Sequence, residues 1–96
     1  MKILQTPKPN ILLVDDRPEN LLALRAALHS PDYELIDASS GEDALRHLLE
    51  KDFALILMDV QMPGLSGFET AMLIKKREKT QFVPIIFITA SQTDEM

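Results

Sequence analysis

Ile11-Leu12-Leu13-Val14 is an unbroken apolar run that stops at Asp15-Asp16. A strand buried on both faces of a parallel sheet reads this way, because helices cover each side and no polar alternation survives. The pattern recurs: Phe53 to Met58 is wholly apolar and ends at Asp59, and Phe82 to Ile88, broken by Pro84, ends at Thr89-Ala90-Ser91. Between these runs the period changes. Pro18 suits a first helical turn, and Leu21, Leu24 and Leu28 then mark one helix face until Ser30-Pro31 stops it. Tyr33 to Ala38 is a short and more polar strand, as an edge strand is. Ser40 with Asp43 forms a capping-box pattern before a second helix marked by Ala44, Leu45, Leu48 and Leu49. A Pro63-Gly64 loop leads to Ser66-x-x-Glu69, a second capping-box pattern. Its helix runs through Met72, Leu73 and Ile74 to the basic end Lys75-Lys76-Arg77, where a helix carboxyl terminus favours cations. Ser91 with Asp94 is the expected start of one more helix. Strands alternating with helices predict an α/β fold, an open, doubly wound parallel sheet with right-handed crossovers.

Composition supports one domain. The chain has 96 residues, 46% apolar and 26% charged, and a net charge of -5 from 15 acidic and 10 basic side chains. That sign argues against direct binding of nucleic acid, whose affinity comes from neutralised phosphates. There is no cysteine, which excludes disulfides, thiolate metal sites and cysteine nucleophiles, and fits a reducing, cytoplasmic setting. Met1 to Pro9 has no apolar run of signal-peptide length, and no stretch approaches the roughly 18 apolar residues of a membrane span. Residues 1–10 read as a flexible lead-in and 11–96 as the domain. The three glycines form neither a dinucleotide fingerprint nor a P-loop. His29 and His47 fall in polar helical stretches and are expected at the surface, and the five methionines show no stripe and are expected to serve packing.

Ligands of open α/β sheets bind outside the carboxyl ends of the strands. There the chain places Asp15, Asp16, Asp59 and Thr89. One such aspartate alone is more often a turn former or helix cap, but three at adjacent strand ends repel one another and call for a cation. Oxygen donors without His or Cys favour a hard divalent ion, and a site of few carboxylates suits Mg2+ better than a full Ca2+ cage.

The blocks Ile11 to Asp16, Leu55 to Gly67 and Pro84 to Ala90 together resemble the receiver domain of bacterial two-component response regulators, over nearly the whole chain from residue 11. The resemblance implies a flavodoxin-like sheet and transfer of a phosphoryl group from a phosphohistidine on a histidine kinase or histidine phosphotransfer protein. It makes Asp59 the phosphoacceptor, a carboxylate nucleophile, and Thr89 the switch hydroxyl. It implies Mg2+ held by Asp16, Asp59 and the backbone carbonyl of Gln61, with Asp15 acting through water. Gln61 and Ser91 match positions that tune hydrolysis of the phosphoryl group. Such a chain catalyses its own phosphorylation and dephosphorylation without being a conventional enzyme, and acts on an output domain in the same or another chain.

The resemblance also predicts a fifth strand ending in Lys-Pro and a fifth helix. Neither follows Thr89, and Lys75, Lys76 and Lys79 precede the fourth strand at the wrong end of the sheet. The expectation is a receiver fold lacking its fifth strand and helix and cut within its fourth helix, with Phe82 to Ile88 left as an edge that favours self-association. Two rivals remain at this point. A degenerate receiver would dock partners without being phosphorylated. An aspartate-nucleophile phosphatase of the haloacid dehalogenase type would need a second aspartate where Gln61 stands.

Overall fold

A computed structural model describes residues 7–88. The elements run β1 (Asn10–Val14), α1 (Pro18–Leu28), β2 (Glu34–Ala38), α2 (Gly41–Glu50), β3 (Leu55–Asp59), α3 (Gly67–Lys76) and β4 (Ile85–Ile88). The strands form one parallel sheet in the order β2-β1-β3-β4. The chain therefore winds outward from β1 to β2, then crosses back to β3 on the other side of β1. That reversal opens a crevice at the carboxyl ends of β1 and β3.

Strand alternation divides the core in two. Leu12, Val14, Ile56 and Met58 point to the face covered by α2 and α3, where they pack with Ala44, Leu48 and Ile74. Leu13 and Leu57 point to the opposite face and pack on Leu21, with Leu24 and Leu28 beside them. Both faces of the central strands are thus buried, which is why Ile11 to Val14 and Leu55 to Met58 include no polar residue. The register pairs Val14 with Met58 and, on the far side of β3, Asp59 with Ile88. The residue after Val14 consequently stands beside the residue after Met58, so Asp15 and Asp59 are neighbours by pleat geometry alone.

Local signals set the helix starts. Ser40 Oγ accepts from the Asp43 N–H at 3.0 Å, while the Asp43 carboxylate reaches back to the Ser39 N–H rather than completing the box at Ser40. At α3 the box is complete: Ser66 Oγ accepts from the Glu69 N–H at 3.1 Å, and Glu69 Oε1 accepts from the Ser66 N–H at 2.9 Å. Helix α1 begins with Pro18 at its first position, and Arg17 supplies no side-chain cap. The basic end of α3 is tied to its surroundings by Lys75 Nζ donating to the Val83 carbonyl at 2.6 Å and Arg77 Nη1 donating to the Leu45 carbonyl at 3.2 Å.

Some sequence expectations shift. The third apolar run becomes a strand only from Ile85: Pro84 has no N–H for a ladder, and Phe82 is 86% exposed within the Thr80 to Val83 turn. Leu49 lies outside the apolar stripe of α2 and is 65% exposed. His47 is at the surface only in part. It sits three residues after buried Ala44 and beside buried Leu48, which leaves its side chain only 17% exposed, with Nε2 3.8 Å from Asp43 and Nδ1 buried without a partner. His29 is exposed, as expected. Met58 and Met62 belong to the core, whereas Met72 is exposed.

β4 is an edge of the sheet formed by the described residues, with Ile86 and Phe87 open to solvent and Phe87 stacked at a tilt on Phe68 of α3. Residues 1–6 and 89–96 lie outside the described residues, so Thr89, Ser91 and the helix expected after Ser91 do as well. No helix among the described residues is long and apolar enough to cross a membrane.

Candidate metal and phosphoryl site

The carboxylates of Asp15, Asp16 and Asp59 converge at the crevice, each offering an oxygen within 4.8 Å of the others. Asp15 follows β1 and is 2% exposed, and its N–H extends the ladder by donating to the Ala38 carbonyl at 3.1 Å. Asp59 ends β3 and is 6% exposed, while Asp16 is half-buried. These are the three acids that the sequence singles out, and the fold brings all three together.

Two pieces of backbone shape the floor. The Gln61 N–H donates to Asp59 Oδ1 at 3.4 Å, with the Gln61 side chain exposed at the mouth. The β3–α3 loop is held down by buried Met62, which packs into the core, and it turns at Gly64, whose φ of 74° suits glycine. The loop ends where the Gly67 N–H donates to the Val60 carbonyl at 2.9 Å. A β-carbon at Gly67 would collide with the Asp59 carbonyl oxygen and the Val60 α-carbon, so only glycine lets α3 start this close to the site. In the sequence Gly67 closes the block that begins at Leu55; its close approach to the Asp59 backbone comes from the packing.

A second residue that sequence reasoning missed is Asn20. Its side-chain amide donates to both Asp15 oxygens, at 3.2 and 3.4 Å, and Asp15 Oδ1 also accepts from the Arg17 N–H at 2.9 Å. Asn20 stands in the first turn of α1, where polar residues are ordinary, and the sequence holds no periodic signal for it.

Electrostatically the crevice is strained. Burial, then the facing Asp15 carboxylate, raise the Asp59 carboxyl above its ordinary value. The Asp16 charge pushes the same way, and the Gln61 and Val60 N–H groups pull back only in part. Two such charges 4.8 Å apart repel by about 3.5 kcal/mol at an effective dielectric of about 20. Among the described residues, no lysine, arginine or histidine forms an ion pair with any of the three. An all-oxygen donor set of this charge and spacing fits one hard divalent cation, and Mg2+ in particular, since the few carboxylates leave positions for water and a phosphate oxygen.

Comparison with known proteins agrees with this arrangement. The model of the response regulator receiver domain family matches residues 11–96. Protein PilH of Pseudomonas aeruginosa is 32% identical over 90% of this chain and 73% of its own length. A probable cyclic di-GMP phosphodiesterase of Vibrio cholerae is 36% identical over 88% of this chain, which spans only 19% of that protein. Among solved structures, the response regulator protein TrrA of Thermotoga maritima, in complex with Mg(2+)-BeF, superposes with a TM-score of 0.75 at 37% identity, covering 86% of this chain and 70% of TrrA. Fold, site position and family match coincide, and the chain belongs to the response regulator receiver domain family.

Proposed function

We propose that the chain is a phosphorylation switch whose phosphoacceptor is Asp59, served by a histidine kinase or histidine phosphotransfer protein. The observation that carries this reading is the convergence of Asp15 and Asp16 on Asp59 at the carboxyl edge of the sheet. The solved relative in complex with Mg(2+)-BeF supports it from outside the chain.

An Asp59 carboxylate oxygen attacks phosphorus, the P–N bond of the phosphohistidine breaks, and its electron pair returns to the imidazole nitrogen. The product is an acyl phosphate on Asp59. Asp16, Asp59 and the Gln61 carbonyl would hold Mg2+, with Asp15 acting through water. Bound there, the ion offsets repulsion between the nucleophile and the incoming phosphoryl group and steadies the dispersed charge of a loose transition state. Attack needs Asp59 ionised, and the Gln61 N–H favours that form. Water then attacks phosphorus, the P–O bond to Asp59 breaks and its electron pair returns to the carboxylate, releasing inorganic phosphate; Gln61 and Ser91 are assigned the tuning of this step.

Thr89 is assigned the switch hydroxyl. It follows Ile88, the β4 residue paired with Asp59, and would bond a phosphoryl oxygen and carry the next segment with it. The output is assigned to another domain or chain.

Incubation with Mg2+ and acetyl phosphate, a small phosphoryl donor, tests the reading by intact-mass spectrometry. One added phosphoryl group, lost in Asp59→Asn and in chelator, is the expected result. Absence of any adduct on the full protein would instead favour the docking module.

A further inference from the structure

Asn20 is the one side chain among the described residues that donates a hydrogen bond to any of the three carboxylates. We infer that it is a positioning residue for the cation site, an inference that rests on the metal reading proposed above. Its amide bridges both oxygens of Asp15, while the Arg17 N–H takes Oδ1 from the chain side. Together these donors fix the rotation of a carboxylate that is almost wholly buried and faces two like charges. Without them Asp15 would be free to turn away from Asp16 and Asp59, and the cation would have to draw it back.

The chemistry of the donor matters. A lysine at position 20 would place its own positive charge in the crevice and compete with the ion. An aspartate would add a fourth carboxylate with no proton to give, and an apolar side chain would leave a buried carboxylate short of a partner. An amide donates without neutralising, so it orders Asp15 and leaves the full negative charge of the cluster for the cation. The placement is equally specific. Helix α1 has no side-chain cap at Arg17, and Asn20 lies in its first turn on the side facing Asp15. The start of α1 is therefore coupled to the site through the Asn20 amide and the Arg17 N–H.

The test is titration of the 15N-labelled full protein with MgCl2, following the Val60 and Gln61 amides, for wild type, Asn20→Ala and the nearly isosteric Asn20→Leu. Removing a residue that orients a metal-binding side chain costs about tenfold or more in affinity. The expected result is a saturable wild-type shift and a dissociation constant about tenfold higher in both variants, with Asn20→Gln recovering part of the loss. Urea unfolding in chelator separates this from a structural role. Variants that lose stability yet bind Mg2+ within twofold of wild type would overturn the inference and leave the metal reading intact. A wild-type protein whose amides do not respond to Mg2+ would overturn both.

Discussion

Gly67 rests against the backbone of Asp59 so closely that no β-carbon fits between them. The first turn of α3 and the candidate phosphoacceptor are in effect one rigid piece, joined also by the hydrogen bond from the Gly67 N–H to the Val60 carbonyl. Gly67→Ala must displace backbone atoms, not a flexible side-chain tip. It should cost about 1–3 kcal/mol of stability, the usual penalty of overpacking. Urea denaturation measures this, and an unchanged midpoint would show that α3 can retreat without cost.

The capping box at the same helix gives a separable effect. Ser66→Ala removes the acceptor of the Glu69 N–H and should destabilise the domain by about 1 kcal/mol. Because Ser66 touches none of the three carboxylates, its loss should leave Mg2+ affinity nearly unchanged, which a parallel titration checks.

Asp59 should make the cation-free protein less stable as the pH rises. Its folded-state carboxyl is raised, first by burial and then by Asp15, so the folded state holds the proton more tightly than the unfolded chain does. Stability from this group is therefore greatest below the ordinary carboxylate range near pH ~4, and it falls as pH rises through that range into the raised one. Asp59→Asn should be more stable than wild type at neutral pH, because it removes the buried charge that both Asp15 and Asp16 repel. The difference between the two should shrink toward acid pH. Urea midpoints of both proteins in chelator across this range test the sign; a gap that widens on acidification would refute it.

Added Mg2+ should reverse that instability. A ligand at 100 times its dissociation constant stabilises the folded state by about 2.7 kcal/mol. Thermal unfolding with and without MgCl2 should show this gain for wild type and a much smaller one for Asp59→Asn and Asp16→Asn. Equal gains in all three would place the ion elsewhere.

The strands and their terminal acids were legible because β1 and β3 are buried on both faces, which writes them as apolar runs stopped by charge. The order β2-β1-β3-β4 is that of the flavodoxin-like sheet which the resemblance implies, and the pattern of runs alone does not fix it. Less legible was anything fixed by a single close contact. Phe82 opens an apolar run but is exposed, because Pro84 delays the ladder and Thr80 turns the chain, its hydroxyl donating to the Ile74 carbonyl at 2.7 Å. His47 is shielded by lying next to the stripe of Ala44 and Leu48 although its neighbours in sequence are polar. Asn20 meets Asp15 only through the tight path at Arg17, which has no periodicity to read.

Whether Asp59 carries the phosphoryl group can be read directly from the protein. After reaction with a phosphorylated histidine donor and Mg2+, borohydride reduction converts an aspartyl phosphate to homoserine, and peptide mass spectrometry locates it. Homoserine is expected at position 59, dependent on Mg2+ and absent without the donor. Homoserine at another aspartate, or none under conditions in which the donor loses its phosphoryl group to this protein, would contradict phosphorylation at Asp59.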